Sequence, residues 1–126
     1  ANSKATHAFH LIVMCLLLRY SSLSGGQLLT DLRGGGMQGA IQPHVFRTLQ
    51  QDVFGEACVE AFASPLNAYY RQFGSAFPDL DWHFGSMGDF FDKKKFADEG
   101  YYEANPPFSP GLMMKMATTM QHRLER

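Results

Sequence analysis

Charge and cysteine are the scarce ingredients of this sequence. Asp, Glu, Lys and Arg supply 18% of its 126 residues, against about 25% in an average soluble domain. The 11 basic and 12 acidic residues leave a net charge of −1 with histidine neutral. Whole-chain charge therefore exerts no pull toward nucleic acid or membrane, and any basic site has to be a local patch. Low charge together with 45% hydrophobic residues excludes a disordered tail, a coiled coil and a collagen-like fibre. The two cysteines, Cys15 and Cys58, form no CxxC pair and have no histidine at metal-ligand spacing. That argues against a disulfide framework and for a reduced, intracellular compartment. Aromatics are abundant instead. Eleven Phe and five Tyr beside a lone Trp are many for a chain of single-domain length, and they require a core of rings or a surface that stacks on something flat.

One apolar run, Phe9 to Leu18 (FHLIVMCLLL), follows Lys4 and resembles the apolar region of a secretion signal. It is shorter than the roughly 20 residues of a bilayer span and runs into Arg19-Tyr20 without a small-x-small cleavage site. It reads as the middle of a helix from Lys4 to Leu23, apolar on all sides and therefore buried, with no membrane contact. Gly25-Gly26 should end that helix, Gln27 to Leu32 form another short one, and Gly34-Gly35-Gly36 break the chain. Pro43 opens a helix that aligns Phe46, Leu49 and Val53 and stops at Gly55. Ala57 to Ala63 (ACVEAFA) reads as a central strand, Ser64-Pro65-Leu66-Asn67 as the loop behind it, and Ala68 to Phe73 as a short helix. Asp81 to Phe84 reads as a second strand ending at Gly85-Ser86, and Tyr101 to Ala104 as a third. Ser109 and Pro110 begin a last helix with Leu112, Met116, Met120 and Leu124 as its buried stripe. The alternation of strand, loop and helix defines an α/β domain.

Asn105-Pro106-Pro107-Phe108 is the tetrapeptide that carries chemistry. Two prolines cannot continue a strand ladder, so the backbone leaves the sheet there and stays stiff. In open α/β sheets, ligands bind beyond the carboxyl ends of strands. Asn-Pro-Pro-aromatic at such a place resembles the fourth motif of amino-group methyltransferases that use S-adenosylmethionine. The exocyclic amine of adenine is a poor nucleophile because its lone pair is delocalised into the ring. An Asn105 side-chain oxygen and the Pro106 carbonyl can accept its two N–H groups and turn that lone pair toward a methyl donor. Phe108 can stack on the base. A rigid strand-to-helix turn with a core Phe would use the same four residues.

Longer stretches carry a closer resemblance. "FASPLNAYYRQFGSAFPDLDWHFGSMGDFF" followed by "YYEANPPF" is similar to the catalytic domain of the phosphorylated CTD-interacting factor family, the cap-specific adenosine N6-methyltransferases. Upstream, "LLLRYSSLSG", "GGGMQGAIQPHVFRTL" and "FGEACVEAFASPLN" resemble the helical lead-in and first strand of that domain. The likeness runs from about Leu16 to Met116. It implies a Rossmann-like methyltransferase using S-adenosylmethionine, with residues 1–55 as helical lead-in and 56–126 as the N-terminal part of an incomplete core. It also implies a nuclear protein acting on the adenosine beside the 5′ cap of messenger RNA, without metal. Asn105, Pro106, Pro107 and Phe108 then take the catalytic positions. Ala63, Ser64, Pro65, Leu66 and Asn67, with Phe84, Gly85 and Ser86, take the cofactor side. Family members often bind the phosphorylated tail of RNA polymerase II through a WW domain. With Trp82 as the only tryptophan, that interaction is assigned to regions outside this chain. Where the family pattern has an acidic residue that helps to recognise the cap, Ser109-Pro110-Gly111 stands here.

Among the other polar residues, Asp79, Asp81 and Asp89 are candidates for the ribose hydroxyls of the cofactor, Asp81 first among them. Lys93, Lys94 and Lys95, between Phe91 and Phe96, can grip an RNA backbone or simply form a solvated loop face. His7 and His10 stand three apart, but nothing completes a metal set. Two alternatives stay open: an amine substrate in DNA adenine or a protein amide, and a binding module that kept the fold without turnover.

Overall fold

The computed structural model describes residues 2–23, 39, 41–92, 94–96 and 99–125, in two compact units divided after Gly34. The glycines and short helix foreseen between residues 25 and 36 lie outside the described residues, as does Lys93. The first unit contributes α1, Asn2–Leu23. Its length matches the sequence reading, but its burial does not. Leu16 and Tyr20 are buried, while Phe9, Met14, Leu18 and Leu23 are all more than half exposed. Residues four apart share one stripe of a helix, so one stripe is covered and the remaining apolar circumference is not. The stretch Ser3–Leu23 is also long and apolar enough to cross a bilayer by length and composition, so the length argument drawn from Phe9–Leu18 does not hold.

The second unit is α/β, built on a four-stranded sheet in the order β3-β2-β1-β4. Its strands are β1 (Cys58–Glu60), β2 (Phe73–Gly74), β3 (Ser86–Gly88) and β4 (Tyr101–Glu103), and every pairing is parallel. β1 is central, as its apolar run requires. Helix α2 (Pro43–Thr48) opens on Pro43 and widens into a π-helical turn, Leu49–Phe54, that Gly55 ends at φ 70°. The wider turn rotates the expected face. Phe46 is buried and Phe54 packs against the Phe46, Cys58 and Tyr70 cluster, whereas Val53 points to solvent.

Two elements differ from their sequence reading. Ala68–Phe73 forms no helix; Phe73 instead enters β2, and the backbone N–H groups of Tyr69 and Tyr70 both donate to Glu60 Oε1, at 2.6 and 2.7 Å. A side chain thus satisfies the donors that a helix would have used. Asp81–Phe84 forms no strand. Pro78 starts the helical turn α3 (Pro78–Asp81), which runs into a 3₁₀ turn, Trp82–Phe84, closed by Gly85. Proline at the first helical position and glycine past the last explain it.

Side chains alternate across the sheet. On one face Val59, Ala61, Tyr102 and Ala104 meet Phe90, Phe96 and Met116. On the other, Cys58 joins Phe46, Tyr70 and Phe54. Gly74 is needed where β2 passes β1, since a Cβ there would run into the Ala61 carbonyl oxygen and the Phe96 ring. The last helix, α4 (Pro110–Leu124), has Ser109 at its N-cap position without a side-chain capping bond, and Pro110 at its start. Its stripe is not buried. Met116 packs on the phenylalanine cluster and Leu112 is partly covered, but Met113, Met114, Met120 and Leu124 face solvent.

Candidate functional site

The strand order creates a place for a site before any side chain is considered. From β1 the chain steps to β2 and β3 on one side, then crosses back to put β4 on the other side of β1. The crevice beyond the carboxyl ends of β1 and β4 is therefore a topological switch point, where open α/β sheets bind ligands. The Ser64–Asn67 turn leaves one side of it and Asn105–Phe108 the other. The two are held in register by Cys58↔Tyr101, Val59↔Tyr102 and Glu60↔Glu103, and by a bond from Ala61 N–H to the Glu103 carbonyl at 2.7 Å.

Asn105 is held from far upstream. Its Nδ2 donates to the Gly39 carbonyl at 2.6 Å, which fixes the amide plane and turns Oδ1, the acceptor, to the opposite side. Pro106 is buried, and Phe108 is 53% exposed. The Phe108 ring lies against the Gly39 backbone, its Cζ 3.4 Å from where a Cβ would stand. The Pro107 carbonyl accepts Ser109 N–H at 2.7 Å and bends the chain into α4.

Across the crevice, Ser64–Asn67 is a self-contained turn. Asn67 Oδ1 accepts both the Ser64 backbone N–H (2.7 Å) and the Ser64 hydroxyl (2.9 Å), and the Ser64 carbonyl accepts from Asn67 and Ala68. Ala63 N–H donates to the Gly74 carbonyl. Ala63, small and half-buried, stands at the strand end beside this turn.

The other expected site residues are not brought to this crevice. Phe84, Gly85 and Ser86 lead into β3 instead of leaving a strand, which puts them at the amino edge of the sheet. Ser86 Oγ bonds Ser75 Oγ at 2.7 Å. Asp81 closes the α3 turn and is fully buried, on the segment that leads into the start of β3. Asp79 is exposed on the same turn, and Asp89 follows β3 with its Oδ1 on Phe91 N–H. Lys94 and Lys95 are exposed in a turn tied back to Asp92. His7 and His10 are exposed on α1, and among the described residues no group of three His, Cys, Asp or Glu could hold a metal. Cys15 and Cys58 are free thiols; burial pushes the Cys58 thiol up.

Sequence reasoning missed three participants. Gly39 gives no local signal, because its partner stands in another part of the chain. Glu60 and Glu103 are side by side on the sheet face that Cys58 and Tyr70 occupy. Burial raises the Glu60 carboxyl above its usual range, opposed by the two N–H donors of Tyr70 and Tyr69. Burial and the charge of Glu60 push Glu103 up to about 7. A glutamate inside an apolar strand, ACVEAFA, was the available clue.

The chain belongs to the family described as phosphorylated CTD interacting factor 1 WW domain, whose model matches residues 1–126. That description names a WW domain over the whole chain, where the sequence reading sets such a domain in regions outside it; the chain has Trp82 as its one tryptophan and a parallel sheet among its described residues. Two curated relatives are proteins named mRNA (2′-O-methyladenosine-N(6)-)-methyltransferase. The one from Mus musculus is 46% identical over 113 residues, 90% of this chain and 15% of its own length. The one from Homo sapiens is 45% identical over the same coverage. The chain thus spans 15% of the relatives it matches.

Proposed function

We propose that this chain is part of an S-adenosylmethionine-dependent methyltransferase that acts in the nucleus on the N6 amine of an adenosine beside the cap of messenger RNA. The observation that carries the reading is Asn105-Pro106-Pro107-Phe108 at the carboxyl end of β4, on the switch point, with the Asn105 amide fixed by Gly39. The names of the relatives support the substrate. The parallel sheet, in the first four positions of the doubly wound order, supports a Rossmann-like core.

The chain's own residues do the following. Asn105 Oδ1 and the Pro106 carbonyl accept the two N–H groups of the amine, drawing its lone pair out of conjugation. Phe108 presents an exposed ring face for the base, and the two prolines keep that ring and the acceptors at fixed spacing. The residues opposite fit a bulky cofactor: Ala63 is small and only half-buried just past β1, and the Ser64–Asn67 turn forms a stiff wall whose internal bonds need no ligand to hold it. When bound there, S-adenosylmethionine supplies an electrophilic methyl group.

Labelled methyl transfer by the full-length gene product tests the reading, on capped and uncapped RNAs that begin with adenosine. Label on N6 is expected, with Asn105→Ala lowering kcat on the order of 100-fold while cofactor binding persists. The capped-to-uncapped ratio reports what Ser109-Pro110-Gly111 does to cap recognition. A binding module for the phosphorylated polymerase tail is the second reading, favoured by the family's own description. Cofactor binding without transfer on any RNA would establish it in place of the first.

A further inference from the structure

We propose that Glu103 is a positioning residue for this site: in its protonated form it lets β1 and β4 stand close beneath the crevice, and when ionised it forces their ends apart and misaligns Asn105. The inference rests on the function proposed above and adds its regulation by pH. Glu60 and Glu103 are register partners on adjacent parallel strands, so both side chains leave the same sheet face at neighbouring points. Asn105 lies two residues beyond Glu103, on that same face, where its amide meets Gly39.

Glu60 is the member of the pair with a fixed duty. Its Oε1 receives the N–H groups of Tyr69 and Tyr70, which ties down the chain that returns from the Ser64–Asn67 turn. Glu103 makes no comparable set of bonds and stands next to that carboxylate in a half-buried position. Two like charges so placed repel strongly, because the sheet face screens them less than water does. The pair sits under both lips of the crevice: Glu60 holds the β1 side and Glu103 belongs to the β4 side. One proton on Glu103 therefore decides whether the two lips are drawn together.

The other titratable groups facing Glu103 are Cys58 on β1 and Tyr70 on the return segment, both kept neutral by burial. On α2 and its π turn, His44, Arg47 and Asp52 are exposed. No described cation on these elements faces the pair to relieve the repulsion.

The test compares wild type with Glu103→Gln, which imitates the protonated form, in the full-length protein. S-adenosylmethionine affinity is measured from about pH 6 to about pH 8, alongside hydrogen exchange by mass spectrometry in the peptide spanning residues 61–72. Wild type should lose affinity several-fold across that range, and its 61–72 amides should exchange faster than the intrinsic rise with pH. Glu103→Gln should keep the low-pH affinity and protection throughout. A flat wild-type profile, or the same slope in Glu103→Gln, would overturn the proposal. So would Glu103→Gln that binds the cofactor normally but transfers no methyl group, since that marks Glu103 as the proton acceptor. If no cofactor binds at any pH, the function reading fails, while the exchange data still decide the fate of the pair.

Discussion

The two faces of the sheet are built from the same strands and differ in almost every physical respect. One is dry and ring-filled. Phe90 and Phe96 meet edge to face at 5.5 Å between centroids, Phe62 leans on Phe90 at 5.1 Å, and Ala61 lies beneath them at 1% exposure. The other mixes the Phe46 and Tyr70 rings with Glu60, Glu103, Cys58 and the Asn105 amide, and its hydrogen bonds run to backbone groups far off in sequence. A dry face has one task, which is to keep the strands together. A face that buries carboxylates loses stability relative to apolar packing, and such groups are concentrated where chemistry needs them.

The sharpest way to break the contrast is to damage the dry face. Phe96 is fully buried and touches Phe90 and Tyr102. Phe96→Ala should cost about 3–5 kcal/mol, through lost transfer energy and the cavity left behind, read as a fall in the denaturation midpoint. Loss of that size would remove methyl transfer and cofactor binding together. A variant that kept its stability but lost only activity would place function on the wrong face.

Phe108→Ala is the opposite experiment. The ring is 53% exposed, so its removal should leave the midpoint nearly unchanged. It should raise the apparent KM for RNA by the worth of one base stack, about 1–3 kcal/mol. A change in stability larger than the change in KM would make Phe108 a packing residue.

The pH dependence of unfolding measures the cost of the polar face directly. Glu103 titrates at about 7 in the folded chain against 4.5 as the ordinary value. A raised folded-state value means that its contribution is fully present below about pH 4.5 and is lost as pH rises through about 7. Half exposure screens the effect, so a loss of about 1 kcal/mol is expected across that window. Glu103→Gln should abolish that slope, and Asp79→Asn, on an exposed turn of the same unit, should not.

What could be read from the sequence follows the same division. β4 was legible as a short run cut off at Asn105-Pro106, and β1 as an apolar run, although it spans only Cys58–Glu60 of the Ala57–Ala63 expected and ends before Ser64-Pro65 is reached. β2 was not, since Phe73-Gly74 is two residues long, too few for any periodicity. The helix expected over Ala68–Phe73 failed because Glu60 captures the Tyr69 and Tyr70 donors, an interaction that exists only once β1 is in place. The same limit applies to the site. Asn105–Phe108 announces itself, but Gly39 reaches it across 66 positions, and the Glu60↔Glu103 pairing is a matter of strand register. Local chemistry was visible; whatever depended on registering distant segments was not.

The smallest expected effect concerns the rim of the dry face, where the lysine run reads both as an RNA grip and as a solvated loop. Lys94 and Lys95 have their backbone N–H groups bound to Asp92, at 2.9 and 3.0 Å, so the turn is fixed while both side chains remain exposed. Lys115, by contrast, sits 3.8 Å over the Phe91 ring and already has a partner. If the run touches phosphates, Lys94→Ala with Lys95→Ala should weaken RNA binding evenly across sequences. The slope of log affinity against log salt should then become shallower by about 1 per phosphate that is no longer neutralised. Lys115→Ala should change that slope less and stability more, because a cation–π interaction worth about 0.5–1 kcal/mol goes with it. An unchanged slope in the double variant, with methyl transfer intact, would leave Lys94 and Lys95 as a solvated loop and confine the RNA path to the carboxyl edge between β1 and β4.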